Sequence, residues 1–167
     1  MKKIFIITVL AIIVHIFVSC GGASLRKSDL NSIYVYHSSF GWRNPEYKID
    51  FKENMVYEFK ADDYRTKRNE KAKNQGYQNS VKITEGKLDE FLKESRKIGF
   101  FKWNGFYNDE GILDGHQWGI EIVFSDGQKK KISGSNKYPA AWDEMYSEFE
   151  KLTGKNILLL KSNWMKD

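Results

Sequence analysis

Gln117-Trp118-Gly119-Ile120-Glu121-Ile122-Val123-Phe124-Ser125-Asp126-Gly127-Gln128-Lys129-Lys130-Lys131-Ile132 is the stretch that decides the fold. Trp118, Ile120, Ile122 and Phe124 alternate with less apolar residues, the period of a strand with one face buried. Asp126-Gly127 follows, the strongest hairpin signal in the chain, because both residue types tolerate the backbone twist of a tight β-turn. Lys129 to Ile132 then reads as the return strand, expected near a sheet edge, where lysines discourage stray pairing.

Working outward toward the C-terminus, Pro139 suits the first turn of a helix. Trp142, Met145, Tyr146, Phe149 and Leu152 make its apolar stripe, and Gly154 closes it. This stripe is expected to pack on the strand face that carries Trp118, with both indoles buried. Ile157 to Leu160 reads as a short strand or a packed tail. Toward the N-terminus, Phe100-Phe101-Lys102-Trp103 reads as a short extended piece of core. A helix precedes it, with Thr84 as N-cap, Leu88, Phe91, Leu92 and Ile98 on one face, and Gly99 just past its end. Residues 46–60 form a hairpin around Lys52-Glu53-Asn54, with Asn54 able to take positive φ. Ile33 to Tyr36 and Ser80 to Ile83 read as further strands.

Strands and helices do not alternate one by one, which argues against a parallel βαβ sheet. The expectation is an α+β fold: an antiparallel sheet of about five to six strands with two helices packed on one face. One domain is expected over 32–167. Within it, 62–79 is a polar excursion whose hydrophobic residues are Tyr64, Ala72 and Tyr77, long enough to be either disordered or functional.

The 167 residues suit one domain, and 15% aromatic content is ample for one core. A single Cys rules out a disulfide framework and a Cys-based zinc site. That cysteine ends a leader: Lys2 and Lys3, the apolar run Ile4 to Val18, then Ser19-Cys20-Gly21-Gly22. The run is shorter than a comfortable membrane span. The leader resembles the lipobox of bacterial lipoproteins, departing from it in Phe17, where Leu is commonest. The resemblance implies a signal peptide over 1–19, cleavage after Ser19, acylation of Cys20 and a tether over 20–31. A cleaved signal peptide with an incidental Cys and an uncleaved anchor helix are the other two readings. The resemblance implies attachment on the non-cytoplasmic side, in a plasma or an outer membrane. Two of the 27 Lys and Arg lie in the leader and none of the 22 Asp and Glu do, so the rest of the chain carries a net charge of +3. That excess is too small for a nucleic-acid footprint, so the partners expected are a membrane, through the acyl anchor, and an envelope protein.

Chemistry-bearing motifs are sparse. HExxH, GxSxG, GxGxxG and a Walker loop are all missing from the sequence. Asn108-Asp109-Glu110 with Asp114 and His116 is the one acidic cluster with a histidine, read as a polar connection in preference to a cation loop. Gly134-Ser135-Asn136 precedes the second helix, where Ser135 or Asn136 would cap it or, less favourably, help cradle an anion. Asp114, His116, Ser135 and Asn136 are therefore the ligand-binding candidates, with no catalytic residue, metal site or cofactor expected. The function expected is a non-enzymatic interaction module. The alternatives are a small-molecule or ion-binding protein and a hydrolase with a dispersed site around His116. Asp114-Gly115-His116-Gln117-Trp118, Gly134 to Pro139 with Trp142, and Pro45-Glu46-Tyr47 are similar to small uncharacterised domains recurring in bacterial lipoproteins, over roughly residues 33–155. That resemblance implies an α+β fold and no activity.

Overall fold

The computed structural model describes residues 25–39, 42–59, 77–112 and 115–158. Cys20, Asp114 and all but the last three residues of the 62–79 excursion lie outside them. A 3-10 turn, Lys27–Asp29, leads into β1 (Leu30–Ser39). Then come β2 (Trp42–Arg43), β3 (Glu46–Asp50), β4 (Met55–Phe59), β5 (Asn79–Lys82) and helix α1 (Glu85–Ile98). After a second 3-10 turn at Phe100–Lys102 follow β6 (Phe106–Asn108), β7 (Gln117–Phe124), β8 (Lys129–Ser135) and helix α2 (Trp142–Thr153).

The α+β architecture is as expected, but the sheet is larger and mixed. Its order is β5-β4-β3-β1-β7-β8-β6, with β2 paired to β1, making eight strands among the described residues. Every pairing is antiparallel except β6 with β8. The expectation of a purely antiparallel sheet of about five to six strands is therefore corrected in count and in sense. The physical reason is a crossover. Strand β5 is one edge, and α1 carries the chain across the sheet to β6 at the other edge, where it enters alongside β8 in the same direction. Strand β6 spans three residues, too short to leave an alternating pattern in the sequence. It also takes the edge from β8, although it pairs only with Ser133 to Ser135. Lys129 to Lys131 lie beyond that pairing.

The local signals were read correctly where they were strong. Ser125 to Gln128 turn the β7–β8 hairpin with Gly127 at φ 87°, and Phe124 N–H donates to the Gln128 carbonyl. Asn54 sits at φ 56° in the β3–β4 turn. Thr84 accepts the Lys87 N–H at 3.4 Å as the α1 cap, and Gly99 and Gly154 close the two helices in the left-handed region. Three weaker expectations fail. Phe100–Lys102 is helical, not extended, because the positive-φ Gly99 turns the chain directly into a new 3-10 turn. Helix α2 starts at Trp142 with Ala141 as N-cap, so neither Ser135 nor Asn136 caps it and Pro139 stands ahead of it. Finally, 25–31 is not tether: Leu30 is buried, Lys27 pairs with Glu85 at 2.8 Å, and Arg96 bonds the Leu25 carbonyl.

The core lies between one sheet face and the two helices. Cross-strand register places Ile49, Ile33 and Ile122 in one row and Tyr47, Val35, Ile120 and Ile132 in the next. Leu88, Phe91 and Leu92 of α1 join Met145, Phe149 and Leu152 of α2 above them in one cluster, with Phe91 and Phe149 in ring contact. Ile157 and Leu158 are buried as a packed tail. The expected pairing of stripes is present: Trp118 is 1% and Trp142 0% exposed, and their ring centroids are 4.4 Å apart. Trp103 also stacks on Trp142, with ring centroids 6.1 Å apart.

Candidate functional site

The inward rows of β1 and β7 begin apolar and end polar. On β1 the row is Ile33, Val35, His37; on β7, counting back, it is Ile122, Ile120, Trp118, with His116 one step before the strand. His37 stands opposite Trp118 in the ladder. Period 2 thus puts both histidines on the helix-facing side at one end of the sheet. His37 is 5% and His116 1% exposed, and their rings meet edge-on with centroids 5.5 Å apart.

Hydrogen bonds hold each ring. The Tyr138 hydroxyl and His116 Nδ1 are 2.7 Å apart, and the Tyr138 ring stacks on His116 and on Trp118. Asn44 Nδ2 donates to His37 Nδ1 at 3.1 Å, which leaves the proton of that neutral ring on Nε2. Trp118 Nε1–H donates to the Lys137 carbonyl at 3.0 Å, so the segment before α2 is fastened to β7 by its own backbone.

A second tie runs through the main chain. His116 N–H donates to Asn136 Oδ1 at 2.8 Å, and Asn136 N–H donates to the His116 carbonyl at 2.9 Å. Asn136 adopts φ 56° to do so, a conformation open to Asn through its short polar side chain. Gly115 makes room: a Cβ there would lie 2.0 Å from Asn136 Oδ1. Gly134 does the same for the indole of Trp118, which would lie 2.4 Å from an added Cβ. Asn136 Nδ2 reaches Ser135 Oγ at 3.4 Å. Three of the four candidate residues, His116, Ser135 and Asn136, are therefore brought together, while Asp114 lies outside the described residues. Asn136 closes the β7–β8 end through these bonds. Asp109 accepts the Gly111 N–H at 3.0 Å and makes a turn.

Burial pushes His37 and His116 each down to about 4, with His37 adding a small repulsion on His116. It pushes the Tyr138 hydroxyl up to about 12, with Asp143 adding to the shift. The constellation is thus neutral at pH 7. A general base works best with a pKa near the operating pH and needs reach to a substrate proton. His116 has neither, so its chemistry here is to hold structure. Among the described residues no group of three or more His, Cys, Asp or Glu is placed to hold a metal ion. His37, Asn44 and Tyr138 were missed by sequence reasoning. The period-2 row Ile33-Val35-His37 was the available signal for His37, and Tyr138 gave none.

The opposite sheet face has a different character. Tyr34 stacks on Phe59 at 5.8 Å, Tyr57 meets Tyr77 at 4.8 Å, and Lys48 lies over the Tyr57 ring. The ring of Tyr36 lies across Gly119, where a Cβ would come within 2.1 Å of it. Burial, with Glu46 and Glu121 nearby, pushes the Tyr34 hydroxyl up to about 12. Lys129 pairs with Glu121 at 3.0 Å. These rings are half-buried, and Tyr77 is 52% exposed.

A mixed sheet with two helices on one face and a sealed polar plug at one end defines a small α+β domain without an assembled catalytic centre among its described residues. The chain belongs to the family described as Domain of unknown function (DUF6438), whose model matches residues 37–153. The match takes in His37, the sheet from the end of β1 to β8, and both helices. No curated protein and no solved structure matches the chain.

Proposed function

We propose that the chain is a lipid-anchored cell-envelope protein whose folded body is an interaction module and not an enzyme. The leader supports the anchor: a positive start, an apolar run too short to span, and the sole Cys at position 20 after Ser19. Leu25 already packs against the core, five residues after Cys20, so acyl chains on Cys20 hold the body near the membrane surface. The observation that carries the interaction reading is the tiled aromatic face of Tyr34, Tyr36, Tyr57, Phe59 and Tyr77, on the side of the sheet away from both helices. Aromatics of this kind give large contact area with a polar tip for hydrogen bonding.

Two experiments test the two halves. Metabolic labelling with a fatty acid should mark the wild-type chain and not Cys20→Ser; equal labelling of both defeats the anchor. A photo-crosslinking residue in place of Tyr36 or Tyr57 should trap a discrete adduct in cells, whereas one in place of Lys97 on α1 should not. Equal trapping at all three positions, or at none, defeats the assignment of this face.

A further inference from the structure

We propose that His37 and His116 form an acid-sensitive latch that closes one end of the sheet when both rings are neutral and releases it when His37 takes up a proton. The latch lies on the helix-facing side of the sheet, away from the aromatic face of Tyr34 and Tyr57. Asn44 Nδ2 donates into His37 Nδ1. A protonated ring carries N–H at both nitrogens, so the new proton faces a donor and that bond is lost. The resulting cation sits in a buried site with the His116 ring 5.5 Å away, where an unpaired charge is costly. The bond on His116 differs, because the Tyr138 hydroxyl can accept from Nδ1–H as well as donate to Nδ1.

The groups that face the pair offer little compensation. Tyr138 comes from the segment before α2, with Asp143 of α2 bearing on Tyr138. From the segment before β3 comes the neutral Asn44. Glu46 of β3 and Glu121 of β7 bear on Tyr34, on the other sheet face. Asp114, two residues before His116 in the chain, lies outside the described residues. What the latch fastens is specific: the β1–β7 pairing at Ser38 and Gln117 and the two-bond tie between His116 and Asn136. The tryptophan-centred core lies beyond it, and the side chains of Trp103, Trp118 and Trp142 do not titrate.

Hydrogen exchange on the full chain in detergent micelles, at pH 7 and pH 4.5 and corrected for intrinsic rate, tests the latch. Residues 36–39, 115–118 and 135–138 should exchange roughly tenfold faster or more at pH 4.5, relative to 119–124, as a local opening. His37→Gln, which stays neutral, should remove the share of that rise that belongs to His37. An even rise over the whole sheet, no rise, or the same rise in His37→Gln overturns the proposal. Should His37→Gln not fold, proton NMR titration of the wild-type imidazoles decides. A His37 midpoint below about 5 sustains the latch, and one near the ordinary value of about 6.5 overturns it.

Discussion

Trp118 on β7 and His116 one residue before that strand face the same way and are equally buried, yet they secure the fold on different terms. The tryptophan end is apolar: Trp142 meets the tilted ring of Trp118 and stacks with Trp103, and their burial is favourable at any pH. The histidine end is polar: both rings are buried and hydrogen-bonded, and the bond on His37 requires an unprotonated Nδ1. One sheet face thus carries an unconditional anchor and a conditional closure side by side. Burial alone does not distinguish them; the chemistry of the buried group does.

The largest effect should come from breaking the unconditional end. Trp142→Ala or Trp118→Ala should cost ~3–5 kcal/mol, a large share of the stability of a domain this size. Denaturant melts at pH 7.5 would register it; a loss under ~1 kcal/mol would mean the indoles are not core. Acidification should follow in size. For both histidines the folded pKa, about 4, lies below the ordinary 6.5, so the unfolded chain binds protons that the folded chain does not. The contribution is fully present above about pH 6.5 and is lost as pH falls toward 4, by roughly 3 kcal/mol for one histidine at most. Melts of wild type and Trp142→Ala should fall in parallel over this window. Curves that converge would tie the two ends together.

Smaller changes sharpen the contrast. Gly134→Ala sets a methyl 2.4 Å from Trp118 and should destabilise by about 1–3 kcal/mol through overpacking, with the same loss at pH 7.5 and 4.5. Thr84→Ala removes the α1 cap, far from both ends, and should cost about 1 kcal/mol without pH dependence in this range. The smallest effect belongs to Lys129→Gln, which removes an exposed partner of Glu121 and should shift stability by roughly 0.2–1 kcal/mol, less in high salt.

Turns, caps and stripes were legible in the sequence because each is a local choice. Asn54 and Gly127 supply positive φ, Thr84 an acceptor for a free N–H, Gly99 and Gly154 a left-handed exit. Alternation through Trp118, Ile120 and Ile122 fixed which face is buried, and the stripe of Trp142, Met145 and Phe149 fixed what covers it. Tertiary structure decided the rest. That β6 lies parallel to β8 depends on where α1 delivers the chain, and no residue of Phe106–Asn108 encodes it. The start of α2 depends on the segment Lys137–Ala141 being tied to Trp118 and His116 first, against the local preference of Pro139. The meeting of His37, Asn44, His116, Tyr138 and Asn136 joins residues about a hundred positions apart. Pairing register and side-chain packing create that neighbourhood, and only the neighbourhood keeps two ordinary histidines neutral well below pH 6.5.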